Sequence, residues 1–86
     1  MNAKKLQEIE DWLLDHTDEP LSYDVQRKSR NEIMVRGYVP HEYPETDESA
    51  EYFFGEAILY IEDTWHLTCV QWGWETDFTY TMYFRG

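Results

Sequence analysis

Apolar and polar residues alternate along this chain with two different periods. From residue 3 to residue 16 the period is helical. Leu6, Ile9, Leu13 and His16 fall three, four and three residues apart with Trp12 beside them, while Lys4, Glu8, Asp11 and Asp15 take the opposite face. The pattern predicts an amphipathic helix over 3–16. Asn2 is placed to cap it by accepting a backbone N–H bond, and Pro20 disfavours helical geometry just beyond its end.

From residue 21 the period drops to two. Leu21, Tyr23 and Val25 share one face of a predicted strand over 21–27. The polar turn Lys28-Ser29-Arg30-Asn31 leads into a second strand over 32–39, with Ile33, Val35 and Val39 inward and Gly37 as a bulge or a point of close contact. Residues 40–51 hold two prolines and five acids and read as a long acidic loop, although 47–51 also suits a short helical turn. Beyond it, Phe53, Ala57, Leu59 and Ile61 occupy one alternating face and Tyr52, Phe54, Ile58 and Tyr60 the other. Apolar residues on both faces predict a central strand over 52–62. Further strands are expected over 65–72, where Trp65, Leu67 and Cys69 share a face, and over 78–85, where Phe78, Tyr80, Met82 and Phe84 point inward.

The expected fold is therefore α+β: an N-terminal amphipathic helix packed on a five-stranded, mainly antiparallel sheet, with a strongly curled or barrel-like sheet as the alternative. Eighty-six residues make one domain, 1–86. A chain of this length buries a modest share of its surface, so its fifteen aromatic residues, eleven of them between Tyr52 and Phe84, must supply much of the core.

Charge changes the picture most. The formal net charge is −11, and it is unevenly spread: residues 37–84 carry ten acids and no lysine or arginine. Such a field disfavours direct contact with nucleic acid or an anionic membrane. Four of the seven bases, Arg27, Lys28, Arg30 and Arg36, gather in the first hairpin, where intramolecular charge balance is the simplest use for them. No stretch is long and apolar enough to span a membrane. Met1-Asn2-Ala3-Lys4-Lys5 leads into mixed apolar and acidic residues, and the single cysteine offers no internal disulfide, so a cytoplasmic setting, of a bacterial or host cell, is expected.

Catalytic chemistry finds little support. His16, His41 and His66 share no metal-ligand spacing, and one cysteine cannot build a structural zinc site. The 40–51 segment lacks the spaced oxygen ligands and central glycine of a calcium loop. Cys69 sits on an apolar strand face, as a small core residue does. There is no glycine-rich phosphate loop or nucleophile elbow. The expectation is a protein that is not an enzyme and has no cofactor or metal.

The remaining candidates belong to a binding surface. Glu42, Glu45, Asp47, Glu48 and Glu51 in the acidic loop, with Glu62, Asp63, Glu75 and Asp77 at strand turns, are expected to meet a basic protein, with Tyr43 and Trp74 as apolar anchors. The expected partner is a nuclease or another nucleic-acid-handling protein, whose Lys and Arg would meet these carboxylates where phosphates otherwise lie. In size and charge the chain resembles DNA mimics encoded by phages, including anti-CRISPR and anti-restriction inhibitors, and nuclease-immunity proteins. The alternative is an interaction or homodimerisation module that uses an exposed aromatic sheet face.

Overall fold

The structure is a computed structural model that describes residues 3–16, 22–40 and 45–86. Its elements run in the order α1 (Ala3–Asp15), β1 (Ser22–Ser29), β2 (Glu32–Tyr38), α2 (Asp47–Trp65), β3 (Thr68–Trp74) and β4 (Thr79–Arg85). The expected α+β class and the N-terminal helix packed on an antiparallel sheet are both present.

Helix α1 forms where its periodicity places it. Ile9 and Leu13 are fully buried, with Leu6 and Trp12 packed beside them. Strands β1 and β2 make the expected hairpin, paired from Ser22↔Tyr38 to Ser29↔Glu32 with a register step between Arg27 and Ser29. Strand β4 then pairs with β2, and β3 with β4, all antiparallel. The spatial order is β1-β2-β4-β3.

Two expectations are corrected. Among the described residues the sheet has four strands instead of five, and it is not strongly curled: β1 and β3 remain as separate edges. The segment 52–62 is not a central strand. It lies inside α2, which also absorbs the end of the expected 40–51 loop from Asp47 onward.

Local chemistry explains the helix. Thr46 is extended (φ −119°, ψ 159°), and its hydroxyl accepts the Ser49 N–H at 3.2 Å while its carbonyl accepts the Ala50 N–H at 3.1 Å. That is an N-cap. Asp47 and Glu48 follow in the first turn, where the helix dipole favours negative charge. Ala50, Phe54, Ala57 and Ile61 are buried at spacings of four, three and four. Phe53, Ile58, Tyr60 and Trp65 widen that stripe, and so wide a stripe also fills both faces of a hypothetical strand. The helix stops at His66, whose left-handed φ of 56° closes the last turn.

The two helices share one face of the sheet. Their buried residues meet Tyr23 and Val25 of β1, Ile33 and Val35 of β2, and Tyr80, Met82 and Phe84 of β4 in a single core. The helices also touch each other. Trp12 stacks on Tyr60 with ring centroids 3.4 Å apart, and His16 stacks on Trp12 at 4.3 Å. No helix among the described residues is long and apolar enough to cross a membrane.

Candidate protein-binding face

The fold separates charge by layer. The two helices carry ten acidic side chains against two lysines, and all six charged residues of α2 are acids. The four strands carry two acids against four bases. Arg36 alternates with the core-facing Val35, so it lies on the face of the sheet away from the helices. Arg36 turns to Glu75 at 3.1 Å and Arg85 to Glu32 at 3.1 Å. Lys28 places its Nζ 4.9 Å from the Tyr83 ring centroid. Among the described residues, no ion pair reaches Asp47, Glu48, Glu51, Glu56 or Asp63.

The expected binding residues are split by this arrangement. Glu42 and Tyr43 lie outside the described residues. Glu45 precedes α2; Asp47, Glu48 and Glu51 occupy its first two turns, and Glu62 and Asp63 its last. The Glu62 carboxylate accepts the Cys69 backbone N–H at 3.0 Å, tying the helix end to β3. Asp77 is half-buried in the β3–β4 turn.

Trp74 and Glu75 are engaged within the fold. The Trp74 indole N–H donates to the Thr46 carbonyl at 3.0 Å, and its ring packs on Phe54 and Tyr80. This tryptophan clamps the start of α2 onto β3. Glu75 accepts from the Thr81 hydroxyl and pairs with Arg36. The Thr81 hydrogen bond first, and then the Arg36 hydrogen bond and charge, hold the Glu75 carboxyl below the usual carboxylate range against the opposing effect of burial.

In exchange the structure exposes residues that a strand assignment hides. Tyr52 is 74% exposed and Leu59 61% exposed on the outer face of α2. Glu48, Tyr52 and Glu56 follow one another at intervals of four, with Leu59 and Asp63 continuing the row. Trp72 of β3, 57% exposed, flanks the same helix. The signal for this row was the helical spacing from Glu48 to Asp63, legible only once Thr46 is recognised as a cap.

Among the described residues no group of three or more His, Cys, Asp or Glu is placed to hold a metal. Burial first, and then the Glu62 charge, push the Cys69 thiol up, which leaves little thiolate at neutral pH. No protein-family model matches the chain, and no curated protein or solved structure matches it either.

Proposed function

We propose that this is a non-enzymatic acidic binding protein whose helical layer docks on a strongly basic protein surface, of the kind that otherwise holds a nucleic-acid backbone. Its action would be inhibition by occupancy, as a DNA mimic acts, and its setting the cytoplasm. The observation that supports this is the segregation of charge. Six carboxylates and no base line α2 between Asp47 and Asp63. At the α-helical rise that stretch is about 24 Å long, so its charges fall on average about 5 Å apart, against ~3.4 Å per charge along a single strand of B-DNA. A surface ion pair would have neutralised these carboxylates cheaply, and the sheet's bases are instead held on the other layer.

A second reading is an interaction module driven by apolar contact, including self-association. It is favoured by the exposure of Tyr52, Leu59 and Trp72, since exposed aromatic residues concentrate binding energy. Salt separates the two readings.

The test is a titration of the immobilised protein with purified basic DNA-binding proteins, with and without a competing DNA duplex. On the proposed reading DNA displaces a bound partner, and affinity falls by about tenfold or more between 50 and 200 mM salt. Glu48→Lys, Glu51→Lys and Glu56→Lys together should abolish binding while the circular dichroism spectrum is retained. Binding that ignores both salt and DNA but is lost in Tyr52→Ala and Leu59→Ala would replace this reading with the second.

A further inference from the structure

The sheet ends in two edge strands of opposite character. β1 carries Asp24, Arg27 and Lys28, and charged side chains on an edge discourage another chain from adding to it. β3 reads Thr-Cys-Val-Gln-Trp-Gly-Trp, with no charge and no proline. Among the described residues it pairs with β4 on one side only. Glu62 already takes the Cys69 N–H at the register step, which leaves the edge from Val70 to Trp74. Val70 and Trp72 are both exposed there.

Beside this edge runs a groove of about 470 Å³. Trp72, Ile58 and Leu59 provide apolar surface, Gly55 leaves the helix wall without a side chain, and Asp47, Glu51 and Glu56 are its charged residues. Trp72 stands opposite the buried Met82 in the ladder, so it points to the helical side of the sheet, into the groove. An uncharged edge strand beside a helix is a site for an added strand: main-chain bonds give affinity, and alternate side chains enter the groove.

We propose that the β3 edge and the α2 groove together take an extended, basic segment of a partner protein as a fifth strand. This rests on the reading of the protein as a binder of basic surfaces and names the element it would grip. Side chains of an added strand that face α2 recur every second residue, about 7 Å apart. The segment's pattern on that face is basic, apolar, basic: an aliphatic side chain over Trp72, and Lys or Arg beside it reaching Glu51, Glu56 or Asp47. A second copy of this chain is a poor occupant. Two β3 edges paired antiparallel about a two-fold axis would set two α2 helices on one side of the joined sheet, bringing Asp47, Glu51 and Glu56 of each copy to the same seam.

The probe is a fluorescein-labelled peptide, Thr-Lys-Thr-Leu-Thr-Lys-Thr, which reads the same in either strand direction. Controls are the same peptide N-methylated at every residue, which keeps its charge and removes its ladder donors on both edges, and a version with Glu in place of Lys. Fluorescence anisotropy should show the parent peptide bound, the N-methylated and Glu peptides weakened at least about tenfold, and Trp72→Ala weakening the parent by a similar factor. Amides between Val70 and Trp74 should gain protection from hydrogen exchange. If the N-methylated peptide binds as tightly as its parent, or Trp72→Ala changes nothing, strand addition is wrong while the acidic docking face stands. If basic proteins bind through Glu48 and Glu56 but the parent peptide does not, the inference fails alone. If no basic probe binds, both fail. A concentration-dependent dimer that Trp72→Ala abolishes would assign the edge to a second copy and overturn the proposal.

Discussion

The ring of Phe54 in α2 rests on the bare backbone of Gly37 in β2, so that a Cβ added to the glycine would clash with the Cε1 edge of the ring. Phe54 is fully buried and stacks in parallel on Tyr80, the ladder neighbour of Gly37 on β4. The missing side chain is what lets the helix settle on the sheet at this point.

Gly37→Ala is therefore expected to destabilise the protein by about 1–3 kcal/mol, although alanine would otherwise favour a strand. Denaturant titrations of Gly37→Ala in the natural background and in a Phe54→Leu background measure the coupling. The cost should shrink in the second background, where the ring is absent. An equal cost in both would trace it to the strand backbone and not to the helix contact.

The Thr46 cap holds the start of α2 from two directions. Its hydroxyl accepts from Ser49, and its carbonyl accepts from both Ala50 and the Trp74 indole. Thr46→Ala should cost about 1 kcal/mol, and Thr46→Ser much less. Thermal melts followed by circular dichroism check this. Identical melting of the alanine and serine variants would show that the hydroxyl is not the cap.

Tyr23 is buried at the edge of the core, set edge-on to Phe54, and its hydroxyl finds no partner among the described residues. Burial pushes its phenol up to about 12. Below the usual phenol range the hydroxyl is neutral folded or unfolded, and ionisation leaves stability unchanged. As pH rises through that range the unfolded chain ionises first, so stability is lost progressively toward pH 12. Tyr23→Phe removes a buried hydroxyl with nothing to bond, so it should leave the melting temperature unchanged or higher at pH 7. It should also lose less stability between pH 9 and 11, roughly the span in which a free phenol titrates. A variant less stable at pH 7 would mean that the hydroxyl has a partner.

The elements legible in the sequence are those whose pattern is local. The stripe of Leu6, Ile9 and Leu13, the alternation of Tyr23 and Val25 against Ile33 and Val35, and that of Tyr80, Met82 and Phe84 each admit one period, and each forms the element expected. Between Tyr52 and Ile61 the apolar residues are so dense that a period of two and a period of 3.6 both fit. What separates them lies outside that stretch: the cap at Thr46 and the vacancy at Gly37 that receives Phe54. Phe78, expected inward, is exposed; it lies in the β3–β4 turn just before β4, and its carbonyl accepts the Val39 N–H at 2.9 Å.

The sequence by itself determined the fold class, the first helix, the hairpin, and the concentration of negative charge after residue 36. It could do so because these follow from composition and from contacts between near neighbours. The tertiary structure alone decided which carboxylates stand in solvent and which are answered. Glu75 meets Arg36, 39 residues earlier in the chain, while Glu48 and Glu56 ride the outer face of a helix. Trp72 and Trp74 occupy the same face of one strand, yet one is exposed and the other is bonded to Thr46. The path of α2 across the sheet makes that difference, since it covers the Trp74 end of β3 and leaves Trp72 beside an open groove. No period in the chain encodes such a choice, because it depends on where two elements distant in sequence come to rest.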